Sequence, residues 1–96
     1  SLDIDFEGGP VTAFKVAEDG TRLILRLWNV LDRVVPGSVA TLPGWPRVTL
    51  CDALERPLRV LPVEDARAEF AVGARTTLTL ALCHADGSRA AWTGSA

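Results

Sequence analysis

Chain-breaking residues recur along this sequence at intervals of about 8–12 positions, and the runs between them show no amphipathic helical period. Gly8-Gly9-Pro10, Asp19-Gly20, Pro36-Gly37, the loop Pro43-Gly44-Trp45-Pro46, Pro57, Pro62 and Gly73 supply the interruptions. Glycine reaches turn conformations closed to other residues, and proline cannot donate to a strand ladder. The intervening segments alternate or are short and apolar. Residues 2–6, 11–16, 22–30, 38–42, 47–51, 58–63, 66–72 and 76–83 read as strands, and residues 32–37 read as a turn. Seven or eight short strands at this spacing predict an all-β fold, an antiparallel immunoglobulin-like β-sandwich.

Asp19-Gly20 lies between two apolar runs and is a strong hairpin signal, because a two-residue type I′ turn needs positive φ at both central positions. A two-residue turn would set Val16 against Leu23, Phe14 against Leu25 and Thr12 against Leu27. The reverse side would then carry Val11, Ala13, Lys15, Ile24, Arg26 and Trp28, which is half apolar. Such a face calls for a cover, and docking onto another domain is the expected one. Residues 66–72 and 76–83 are expected to form a second hairpin around Gly73-Ala74-Arg75, with Leu78, Leu80 and Leu82 on one side.

Ninety-six residues make one domain, with its core in residues 2–83 and residues 84–96 as a short terminal strand or a frayed tail. The chain begins at Ser1 rather than Met, which is expected of a fragment. Net charge is −2 with the basic residues scattered, which argues against a nucleic-acid partner. No apolar run reaches the roughly 20 residues of a membrane helix. Cys51 and Cys83 each sit in an apolar segment and read as two buried free thiols, compatible with a reducing, cytoplasmic setting. A bridge would need neighbouring strands with Cα atoms within about 7 Å.

Residues that would carry out chemistry are not grouped. His84 follows Cys83 directly, so the two side chains of a strand would point to opposite faces, and no catalytic triad assembles. No close-spaced Cys or His pairs suggest a zinc site, and the carboxylates lie in turns or on the polar side of alternating strands. No catalytic residue, metal ligand or cofactor is therefore expected in this chain. Trp45, in its proline-flanked loop, either stacks on a carbohydrate or caps one end of the core. Trp28 is expected to meet a neighbour.

Val11-Thr12-Ala13-Phe14-Lys15, then Ala17-Glu18-Asp19-Gly20 and Leu23-Ile24-Leu25-Arg26-Leu27-Trp28-Asn29, resemble the opening of the C-terminal β-sandwich of glycoside hydrolase family 38, the α-mannosidases. Cys51-Asp52-Ala53-Leu54-Glu55-Arg56-Pro57-Leu58 is similar to a later segment of that domain, and residues 70–82 resemble its closing hairpin. At that hairpin Val72-Gly73-Ala74-Arg75 replaces the Pro-(Phe/Tyr)-Glu-Ile usual in the family. The resemblance covers about residues 2–82. It implies a parent that is a retaining, zinc-dependent glycosidase of carbohydrate metabolism, whose nucleophile and zinc ligands lie in an N-terminal catalytic domain. This chain would be a non-catalytic accessory domain, packed on the rest of the enzyme. Arg26, Trp28 and Asn29 match the family motif and would serve as inter-domain or substrate contacts; the alternative for Arg26 is a solvent-facing cross-strand partner. A free-standing carbohydrate-binding module using Trp45 or Trp92, or a structural immunoglobulin-like module of another protein, are the other readings.

Overall fold

A computed structural model describes residues 2–15 and 20–85 of the chain. The described residues form nine strands: β1 (Ile4–Phe6), β2 (Val11–Lys15), β3 (Arg22–Trp28), β4 (Val35–Ala40), β5 (Arg47–Cys51), β6 (Pro57–Val60), β7 (Val63–Glu64), β8 (Arg67–Val72) and β9 (Thr77–Cys83). They form two antiparallel sheets, one in the order β1-β4-β8-β7 and the other β2-β3-β9-β5-β6. The all-β sandwich is as expected, with one or two strands more. Residues 86–96, including Trp92 and the expected terminal strand or tail, lie outside the described residues.

The core lies between the sheets because the inward positions repeat every second residue. Leu25 and Leu27 of β3, Val39 of β4, Val48 of β5, Ala68 and Val72 of β8, and Leu80 and Leu82 of β9 are buried in one cluster. In β3 and β9 the inward rows pair directly, Leu23 with Leu82, Leu25 with Leu80 and Leu27 with Leu78.

Four local expectations change. First, β2 is one residue out of the expected register: Ala13 faces Leu25, Phe14 faces Ile24 and Thr12 faces Arg26. With a period of two, that slip sends Phe14 to the outer side of the sheet and turns Val11 inward, opposite Leu27 and against the core. The last pair of the ladder is Lys15 with Leu23, whereas a two-residue Asp19-Gly20 turn would bring the residue after Lys15 opposite Leu23.

Second, Pro36-Gly37 belongs to β4 rather than to a turn. Pro36 lies beyond the Phe6–Gly37 pair that ends β1, so β4 is paired on one side only there, and a proline is tolerated. Gly37 admits the Phe70 ring, which a Cβ would meet at 2.6 Å, and Phe70 in turn packs on Phe6 with ring centroids 6.1 Å apart.

Third, the strand expected over 58–63 is two. β6 pairs with β5, β7 pairs with β8, and the chain changes sheets at Leu61-Pro62. The β7–β8 hairpin turns on Asp65 and Ala66, both at positive φ (53° and 59°) as a type I′ turn requires.

Fourth, β8 and β9 do not form a hairpin. β8 pairs with β4 and β7, while β9 lies between β3 and β5 in the other sheet. The segment 73–76 is an arch between sheets, closed by the Thr76 hydroxyl donating to the Gly73 carbonyl at 2.7 Å.

Candidate functional site: the outer face of the five-stranded sheet

The expected contact residues lie at or near the outer face of the five-stranded sheet, where β3 presents Arg22, Ile24, Arg26 and Trp28. Across that face, Arg26 is level with Thr12 and Thr79, and Ile24 with Phe14 and Ala81. The face is not bare. After β5 the chain forms a tight loop, residues 52–56, that lies over it like a strap.

Asp52 builds the strap. Its Oδ1 accepts from the Leu54 and Arg56 amides at 2.9 and 3.0 Å, and its Oδ2 accepts from Arg56 Nε at 2.8 Å. These bonds favour the carboxylate, the Arg56 amide most of all, and hold its pKa below the ordinary 3.8. Two arginines of β3 fasten the strap to the sheet. Arg22 Nη1 donates to the Glu55 carbonyl at 2.9 Å, and Arg26 Nη2 meets Glu55 Oε2 at 2.7 Å. Arg26 Nη1 also donates to Thr79 Oγ1 at 3.1 Å, and its guanidinium lies 5.7 Å from the Phe14 ring centroid, within cation–π range. Glu55 sits at φ 67°, a left-handed conformation uncommon for a non-glycine residue, and both of its oxygen groups are engaged there.

Beneath the strap is a second, small apolar cluster of Ile24, Cys51, Ala81 and Cys83. Ile24 was expected to be part of the surface left for a neighbour, but it is fully buried. The reason is local: the strap is anchored on its flanking arginines. Both cysteines are free and buried. Burial pushes the Cys51 thiol up to about 11 and raises that of Cys83 as well. β5 and β9 are neighbours, yet Cys51 is level with Thr79 and Cys83 with Arg47. Four residues of ladder therefore separate them, about 13 Å along the strands, too far for a disulfide.

Trp28 stands beyond the strap at the end of β3 and remains 52% exposed. Asn29, the next residue, is fully buried. Its Nδ2 donates to the carbonyls of Arg33 (2.7 Å), Val72 (3.1 Å) and Gly73 (3.0 Å), and its Oδ1 accepts from the Leu31 amide at 2.9 Å. The amide thus holds the β8–β9 arch against the segment leaving β3, and its hydrogen-bonding capacity is committed inside the chain.

Trp45 is at one end of the sandwich, half-buried against the main core. A turn places it there: Pro43 and Gly44 occupy the centre, Gly44 has φ 82°, and the Trp45 amide donates to the Leu42 carbonyl at 2.8 Å. Its ring meets His84 edge-on with centroids 5.2 Å apart. The ring packs on the core, as the capping alternative expects, and remains partly exposed. The sequence pattern did not disclose the strap, because Asp52, Ala53, Leu54, Glu55 and Arg56 look like an ordinary polar bend until Arg22 and Arg26 are seen to reach it. Among the described residues no group of three or more His, Cys, Asp or Glu side chains is placed to share a metal ion. No helix among them is long and apolar enough to cross a membrane.

The profile of the glycosyl hydrolases family 38 C-terminal beta sandwich domain matches residues 10–82, from the start of β2 almost to the end of β9. The chain belongs to that family. No curated protein and no solved structure matches it. Membership in this family makes the sandwich one domain of a family 38 glycosyl hydrolase, and the match takes in β2, β3, the strap and β9 together.

Proposed function

We propose that this chain is the non-catalytic C-terminal β-sandwich domain of an α-mannosidase-like glycoside hydrolase, packing on the catalytic region and supporting it. The observation that carries the reading is the family match over residues 10–82. By resemblance, the parent is a retaining, zinc-dependent enzyme of carbohydrate metabolism, with its nucleophile and zinc ligands in another domain. Trp28 is the inter-domain contact on this side, since a large rigid ring half-exposed on a sheet face is the kind of group that anchors interfaces. Arg26 supports it from the same strand. Asn29 acts indirectly, by fixing the arch next to Trp28.

The reading is tested with the purified 96-residue chain and an aryl α-mannoside. No hydrolysis, with or without added zinc, is the expected result, while deletion of the domain from the parent glycosidase lowers that enzyme's thermal stability and activity. Turnover by the pure chain, or a parent indifferent to the deletion, would overturn it.

A further inference from the structure

The two outward surfaces of the sandwich differ in kind. Eight large apolar side chains are exposed among the described residues, and five of them, Phe14, Trp28, Leu54, Leu58 and Val60, belong to the five-stranded sheet or to the strap across it. None lies on the outer face of the four-stranded sheet. That face presents Asp5, Ser38 and Glu69 in one cross-strand row, with Arg67 bonded to Ser38 and paired with Asp3. Water solvates such a face without help, whereas exposed rings and leucines gathered on one side mark a contact surface.

Charge on the apolar side points the same way. Arg22, Arg26 and Arg47 face outward there, and the Glu55 carboxylate is matched to Arg26 alone. Arg22 donates to a neutral carbonyl, and Asp52 of the strap is paired with Arg56. The face therefore carries positive charge in excess among the described residues, ringed by apolar groups, and its complement is an apolar surface bearing carboxylates.

We propose that this face, from Phe14 and Trp28 across the strap to Val60, is where the remainder of the glycosidase chain docks, through an apolar patch with carboxylates set opposite Arg22 and Arg47. The acidic face of the four-stranded sheet stays in water. The assignment rests on the accessory-domain reading above and adds to it the surface used and the chemistry of its partner.

The test is covalent footprinting of the full-length glycosidase beside the 96-residue chain, with hydroxyl radicals for Trp28 and Leu54 and a water-soluble carbodiimide for Asp5 and Glu69. The expected result is about tenfold slower oxidation of Trp28 and Leu54 in the full-length enzyme, as for side chains entering an interface core, with the carboxylates equally reactive in both. Protection of the carboxylates with Trp28 unchanged would overturn the choice of face and leave the accessory role standing. Equal reactivity everywhere would overturn both. Protection of Trp28 in the short chain that grows with its own concentration would instead assign the face to a second copy.

Discussion

Asn29 bonds four backbone groups that otherwise have no reason to meet, and a small sandwich has few such fasteners. Asn29→Ala is expected to cost about 2–4 kcal/mol, since several buried polar groups lose their partner at once. Urea unfolding followed by tryptophan fluorescence measures it, and a loss under about 0.5 kcal/mol would show that the arch does not depend on the amide. In the sequence this residue was indistinguishable from a surface asparagine after an apolar strand, and its match to the family motif drew it toward a contact role. Only the approach of residues 72–73 gives it an internal one. Ala66 illustrates the opposite case. It holds a left-handed conformation in the β7–β8 turn, where a Cβ is unfavourable, while its carbonyl accepts from the Thr41 amide at 2.9 Å. Ala66→Gly removes the clash and keeps that bond, so a gain of about 0.5–1 kcal/mol is expected in the same measurement.

At the scale of elements, β3 and β9 were legible because every second residue is leucine, Leu23, Leu25 and Leu27 in one and Leu78, Leu80 and Leu82 in the other. The register of β2 was not, since Ala13 and Phe14 are both apolar and either register places one of them inward. The hairpin expected between β8 and β9 failed for a related reason: proximity in sequence suggests pairing, but here the arch links two sheets. The strap makes its own predictions. Asp52 has a depressed carboxylate pKa in the folded chain, so its contribution to stability is present above the ordinary value of 3.8 and is lost as pH falls through the folded value. Unfolding midpoints measured downward from pH 7 should fall more steeply at acid pH for the wild type than for Asp52→Asn; equal slopes would remove Asp52 from the account. The strap also guards Cys51. With its thiol pushed to about 11 from 9.0, the thiolate fraction at pH 8 is about 100-fold below that of an ordinary cysteine. Glu55→Ala breaks the Arg26 ion pair, which at a half-exposed site contributes no more than about 1 kcal/mol. Labelling of Cys51 by a maleimide should quicken several-fold in that variant with little loss of stability, and an unchanged rate would mean that the strap is held by other contacts.

Across the whole molecule, the sheets share one core while their outer faces diverge, one polar and one ringed with exposed apolar groups. The sandwich architecture was legible from turn spacing. The make-up of the outer face of the five-stranded sheet was not, because Ile24 is sealed by the strap and Phe14 joins the face only through the shifted register of β2. The central claim is that Leu25 serves this domain's own interior whereas Trp28 serves a partner. The direct measurement is urea unfolding of Leu25→Ala and Trp28→Ala in the 96-residue chain. Leu25→Ala is expected to cost about 2–5 kcal/mol, as for a fully buried leucine, and Trp28→Ala no more than about 0.5 kcal/mol. A loss at Trp28 equal to that at Leu25 would contradict the claim and make Trp28 part of the domain's own core.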